Sequence, residues 1–288
     1  MHPAPSVIVF TTLSGAGFGL LFWLGLGVPD VRGLSAFAFF VIAYLLAAGG
    51  LMASTLHLGR PERALKAFTQ WRTSWLSREA WLSVAALLAM AAYGAGLVFV
   101  DTRVPWLGWL GAALAAATVL ATSMIYTQIA AVPRWHTALT PALFLALSAG
   151  GGALLAGQVT AALALLALAA VVQIAWWLRG DGALARSRTD MSSATGLPGR
   201  VRAFEPPHTG PNYLLREMVF RVGRKHALKL RGIALVLGYL APIVLLLVPF
   251  AHWLAAVAVL AHLAGIAVSR WLFFAEAEHV VGLYYGMR

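Results

Sequence analysis

Residues 54–80 read STLHLGRPERALKAFTQWRTSWLSREA and gather one histidine, five Lys/Arg, two glutamates and two tryptophans between two apolar runs. His57 closes the first run. It titrates near neutrality, and an ionisable side chain at the end of such a run is scarce. Glu79 opens the second run, and Arg63 stands six positions after the histidine. An imidazole can give or take a proton at one oxygen of a two-electron carrier, a carboxylate can relay protons to water, and an arginine can hold negative charge. Together they suit proton-coupled exchange with a quinone, whose two ring oxygens both need hydrogen bonds. Such a site must be reached from lipid and lie beside an electron donor, and an interfacial pocket meets both needs.

Each residue also has a plain structural role. A first-turn glutamate gains roughly 0.3–1 kcal/mol from the helix dipole. Trp71 and Trp75 fit interfacial anchors, with an apolar body and a polar N–H. Gly59 lets the chain leave one helix, Pro61 suits the first turn of a short helix over PERALKAF, and Ser77 reads as the N-cap of the next span.

The elements that hold this connection are membrane spans. The chain has 288 residues, 61% hydrophobic and 11% charged, with mean hydropathy +0.81. Soluble domains carry roughly 25% charged residues. The apolar residues fall in blocks of about 20, the length that crosses a bilayer core. The expected fold is all-α: a polytopic bundle of about eight transmembrane helices over 7–27, 34–56, 80–100, 106–126, 140–156, 159–178, 232–250 and 253–274. It forms a single integral membrane domain, 1–288. The first span, without a basic leader or an evident cleavage site, reads as a retained helix.

The net charge of +11 points to topology rather than to nucleic acid. All Lys/Arg except Arg32, Arg103 and Arg270 fall on the side holding both termini and residues 57–79, 127–139 and 179–231. By the positive-inside rule that side is expected to be cytoplasmic, with both termini and the 54–80 connection inside. With no cysteine the chain offers no disulfide, thiolate metal site or cysteine-bound iron–sulfur cluster.

The 179–231 segment is a basic loop. From Asn212, NYLLREMVFRVGRKHALKLR places Leu215, Met218, Val219 and Val222 along one side and predicts an amphipathic helix, to lie on anionic headgroups or dock a soluble subunit. Arg78, Tyr126, Gln128 and His136 sit near the same membrane face as His57, and Trp71, Trp75, Arg78, Tyr126 and Arg270 are candidates for the pocket border. Arg270 is expected to snorkel to the headgroups; its other reading is a polar path towards Glu79. Gln173 and Trp176 read as packing and anchoring residues.

STLHLGRPERA, SWLSREA and IYTQIAAVPRWHTALTP resemble the DMSO-reductase anchor-subunit family, over essentially the whole chain. The resemblance implies an eight-helix protein without haem that binds quinone, ubiquinone or menaquinone. Its partners would be a molybdopterin catalytic subunit and a four-cluster iron–sulfur subunit, which hold the molybdopterin and the clusters. In that family the quinone site is carried by residues matching His57, Gly59, Arg63 and Glu79. The loop, with FEPPHTGPNYLLREM and GRKHALKLR, is similar to the branch serving quinone-dependent sulfite dehydrogenases, whose catalytic subunits face the cytoplasm. The resemblance thus implies electrons passing from sulfite oxidation to the quinone pool. Its alternative is the anchor of a DMSO-type reductase oxidising menaquinol. Two other classes compete: a haem-b carrier, which needs histidines in two spans at matching depth, and a secondary transporter, which typically shows inverted repeats and a polar site at mid-membrane.

Overall fold

The computed structural model describes every residue except 57, 59, 206, 211, 220–225, 250 and 287–288. The apolar blocks become eight helices: α1 (Pro5–Gly25), α2 (Gly33–Thr55), α3 (Trp75–Phe99), α4 (Pro105–Thr127), α5 (Leu139–Leu155), α6 (Val159–Asp181), α7 (Ala227–Leu247) and α8 (His252–Ala275). Seven are long and apolar enough to cross a membrane, and α5 is a shorter apolar helix of 17 residues. No strand occurs among the described residues. The all-α polytopic expectation holds, since a helix satisfies its own backbone in lipid.

Two local expectations are corrected. The third span begins at Trp75, after Ser74, and not at residue 80 behind a Ser77 cap. Ser77 lies inside the first turn of α3, where its hydroxyl donates to the Ala67 carbonyl and accepts from Gln70 N at 3.2 Å. The stretch after Asn212 gives a single π turn, Leu214–Met218, and helix resumes at Ala227. The remainder of that expected amphipathic helix, 220–225, lies outside the described residues.

The hairpin pairs α1–α2, α3–α4 and α5–α6 pack side by side, and α1 runs through the middle against α2, α4, α5 and α8. Small residues permit that close approach. A Cβ on Gly152 of α5 would overlap the Gly19 backbone of α1, and one on Gly19 would overlap the Ser148 carbonyl. Gly19→Val is therefore expected to part α1 from α5, at a cost of about 3 kcal/mol. Membrane abundance of the tagged chain checks this: a wild-type level would mean the contact is dispensable.

The two ends of the bundle are tied differently. At one end Asp30–Arg103 (2.6 Å) and Arg32–Asp101 (3.3 Å) join the α1–α2 and α3–α4 turns. At the other, the Met1 ammonium donates to the Ala277 carbonyl at 2.8 Å and Val280 N to the Ala131 carbonyl at 2.9 Å. The N-terminus, the α4–α5 connection and the segment after α8 thus share the end rich in Lys/Arg.

In α7, Pro242 has no N–H for the Gly238 carbonyl four residues back. The helix loosens into a π stretch, Val236–Leu240, and the Gly238 carbonyl takes the Nδ1–H of His262 on α8, at 2.7 Å. A carbonyl only accepts, so Nδ1 carries the hydrogen and Nε2 keeps its lone pair.

Candidate functional site

At the basic end, PERALKAF forms the expected short helix, a 3₁₀ turn over Pro61–Phe68 with Glu62 near its start and Lys66 near its end. This strap is bound back onto α3 by several donors. Arg78 Nε and Nη2 reach the Trp71 and Arg72 carbonyls at 3.0 and 2.7 Å, and Trp81 Nε1 reaches the Phe68 carbonyl at 3.0 Å. The Arg78 guanidinium also lies 4.3 Å from the Trp75 ring centre, within cation–π range. Arg78, Trp71 and Trp75 therefore fix the strap.

Glu79 is buried at 4% exposure, and four residues into α3 it lies about 6 Å below the end of the helix. Its Oε1 accepts from the Thr122 hydroxyl of α4. No ion pair joins it to a cation among the described residues. Arg63 is exposed on the strap and forms no ion pair with Glu79. His57 and Gly59, the first half of the predicted motif, lie outside the described residues. Around this corner Leu56, Leu65, Trp71 and Trp81 expose more than half of their surfaces, an apolar lip between lipid and the strap. Glu79 is thus an enclosed carboxyl one turn in from the basic end of α3, held by a hydroxyl of α4.

Tyr126, one turn on from Thr122, is buried among Trp135, Phe144, Phe273 and Phe274 at ring separations of 5.3–5.9 Å. Arg270 is not snorkelled. It is buried at 3% exposure, with its guanidinium 3.6 Å from the Phe144 ring centre. A charge network lies at the same end of the bundle. Arg231 of α7 grips Asp181 at the end of α6 (2.5 and 2.8 Å) and Glu276 just past α8 (2.7 and 2.9 Å), and Arg134 reaches Asp181 at 2.9 Å. Burial pushes the Glu276 carboxyl above its ordinary range, and Arg134 and Arg231 pull against that shift. His136 instead donates from Nδ1 to the Thr127 carbonyl, 2.7 Å away, and is exposed.

Arg270 and Thr122 line one small cavity of about 20 Å³ between α1, α4, α5 and α8, with Thr12, Ser14, Ser148 and His262 on its walls. This chamber is large enough for one or two water molecules and too small for a quinone ring. Sequence reasoning missed it, because its hydroxyls are scattered over three helices and read singly as ordinary helix serines and threonines. Gln173, read as packing, is instead a buried acceptor for Tyr239 (3.2 Å) and Ser269 (2.7 Å).

Fold and site thus define a multi-pass membrane protein with a buried carboxyl near its basic end. The model of the DMSO reductase anchor subunit (DmsC) family matches residues 1–187, and the chain belongs to that family, the membrane anchor subunits of molybdopterin oxidoreductases. It is 33% identical over 323 aligned residues to a sulfite dehydrogenase subunit of Allochromatium vinosum, covering 99% of each chain. No solved structure matches the chain.

Proposed function

We propose that this chain is the quinone-binding anchor of a three-subunit complex. It passes electrons from cytoplasmic sulfite oxidation, through a four-cluster iron–sulfur subunit, to the quinone pool of the bacterial inner membrane. The observation that carries the reading is Glu79: a buried carboxyl without an ion-pair partner among the described residues, beneath a strap with an apolar lip. A bound quinone takes two electrons and two protons to become the quinol. The chain's own part is to hold the ring at that lip and to exchange protons at the Glu79 carboxyl and at His57.

Sulfite as the source is supported by the relative that spans the full chain, beyond residue 187 where the family match stops, and by the Lys/Arg count, which favours a cytoplasmic strap. The second reading, a DMSO-type reductase oxidising menaquinol, is favoured by the family match itself. Purification through a tag on this chain, then assay of sulfite oxidation and DMSO reduction with a quinone or quinol analogue, separates them. Sulfite-dependent quinone reduction supports the first reading. DMSO-dependent quinol oxidation overturns it. His57→Leu is expected to leave the complex assembled and its sulfite activity with an artificial acceptor unchanged while abolishing quinone reduction. Normal quinone turnover would remove His57 from the site.

A further inference from the structure

The water-sized chamber behind Glu79 has an unusual wall. Arg270 is a buried cation without a carboxylate partner among the described residues, and its Nε has no hydrogen-bond partner there. The faces of Phe144 and Phe273, at 3.6 and 5.9 Å, offset part of its desolvation but accept none of its hydrogens. Thr12 Oγ1, also buried on this wall, has no partner either. Unmet buried donors of this kind call for an occupant that accepts hydrogen bonds.

The placement of hydrogens decides which occupant. Ser14 donates its single hydrogen to the Phe10 carbonyl at 2.6 Å, and Ser148 donates its own to the Gly15 carbonyl at 2.7 Å. His262 donates through Nδ1 to Gly238, which leaves Nε2 a lone pair, beside Gly151. With those hydrogens spent, the two serine hydroxyls have only lone pairs left to offer, whereas Arg270 has only donors. A halide would accept from Arg270 and then meet lone pairs on the facing walls. Water matches both: its oxygen accepts from Arg270 and its hydrogens go to the hydroxyls.

Thr122 connects this water to Glu79. Its one hydrogen has two acceptors, Glu79 Oε1 and, at 3.0 Å, the Thr118 carbonyl. With Glu79 as carboxylate, Thr122 donates to it. With Glu79 as acid, the carboxyl O–H donates to Thr122 Oγ1, and the Thr122 hydrogen turns to Thr118. In either state Oγ1 retains a lone pair for a chamber water. Depths agree, since Thr122 and Arg270 each lie five residues, about 7.5 Å, inside their helix ends.

We propose that the chamber is a buried water site through which Arg270 serves, by way of Thr122, as the positive partner of Glu79. The reach is through hydrogen bonds that all point the same way: Arg270 to water, water to Thr122, Thr122 to the carboxylate. Arg270 is a positioning residue. It stabilises the negative charge left in a low-dielectric interior when Glu79 releases its proton, and it does so without an ion pair that would hold the carboxylate permanently ionised. The proposal rests on the reading that Glu79 serves the quinone. In each exchange the Glu79 O–H bond breaks, its electron pair stays on the carboxylate, and the proton passes to a ring oxygen of the quinone, whose electrons come from the iron–sulfur partner.

The test is infrared difference spectroscopy on the whole complex, quinone-reduced minus oxidised, with the Glu79 carboxyl band assigned by its loss in Glu79→Gln. In Arg270→Gln the carboxyl band is expected to move, the H₂¹⁸O-sensitive band of the internal water to vanish, and quinone reduction to slow on the order of tenfold, the equivalent of about one unit of proton affinity. Arg270→Lys is expected to restore most of the rate. Thr122→Val, which keeps shape and loses only the hydroxyl, is expected to move the same carboxyl band and covers the case in which Arg270→Gln fails to assemble. Wild-type bands and rate in Arg270→Gln or Thr122→Val, beside a defective Glu79→Gln, overturn this proposal and leave the quinone site standing. A wild-type rate in Glu79→Gln overturns both.

Discussion

Glu79→Gln is expected to lower quinone reduction by the assembled complex by roughly 10²–10⁴-fold, the range for a lost general acid–base group. Sulfite oxidation with an artificial acceptor should stay at the wild-type level. The isostere keeps the volume and can still accept from Thr122, so α3 and α4 stay packed and what is lost is the exchangeable proton. Glu79 has the strongest claim among the described residues because it is enclosed (4% exposed) yet only one turn below the basic end. A carboxyl in that position is costly to keep, and the structure gives it a hydroxyl partner instead of a cation. The check is steady-state turnover with a water-soluble quinone analogue beside the artificial-acceptor rate. Equal losses in both assays would mean damage to assembly and would withdraw Glu79 from proton exchange.

Arg231→Met is expected to destabilise the basic end by about 3 kcal/mol, the lower end for breaking a buried pair, because the Asp181 side chain is 45% exposed while Glu276 is 6% exposed. The guanidinium holds three helices at once: α7 from its own position, α6 through Asp181 and α8 through Glu276. Without it, the Glu276 carboxyl is left with Arg134 at 3.8 Å. Adding Glu276→Gln should return part of the loss, since the uncompensated buried charge disappears with it. Thermal midpoints of the detergent-solubilised complex, followed by size-exclusion fluorescence, measure both steps. A double variant less stable than Arg231→Met alone would show that Glu276 contributes through contacts other than this charge network.

The spans were legible because a bilayer demands long apolar blocks, and those blocks survive in the sequence whatever packs against them. The strap was legible too, since Pro61 and the apolar breaks at either side mark a short interfacial turn. The start of α3 was not. Two serines three residues apart both suit an N-cap, and only the fold reveals that Ser77 is engaged by the Ala67 carbonyl of the strap. Glu79 was expected as a first-turn acid, but with α3 starting at Trp75 it falls beyond the first turn, and its partner Thr122 sits on another helix and carries no local signal. The burial of Arg270 was hidden for a similar reason. Five residues from a helix end is snorkelling distance, but the guanidinium lies instead over the Phe144 ring of another helix. His262 and Pro242 form a pair that periodicity cannot reveal: the proline frees a carbonyl on one helix, and the imidazole uses it from the next.

The depth of the polar groups has a bioenergetic consequence. Glu79, Thr122 and Arg270 lie within about 8 Å of the basic end, and His262, some 20 Å from that end of α8, is the deepest wall of the chamber. Beyond it Leu20, Leu21 and Leu24 of α1 and Leu154 of α5 are buried, and no chain of hydroxyls continues to the Asp30–Arg103 clasp among the described residues. With the proposed donor docked at the basic end, electrons and protons arrive at the quinone from the same compartment. No net charge then crosses the bilayer in this subunit, and turnover builds no membrane voltage of its own. On the proposed reading, the energy of the reaction would leave as quinol, for conversion to proton-motive force by whichever enzyme next oxidises it.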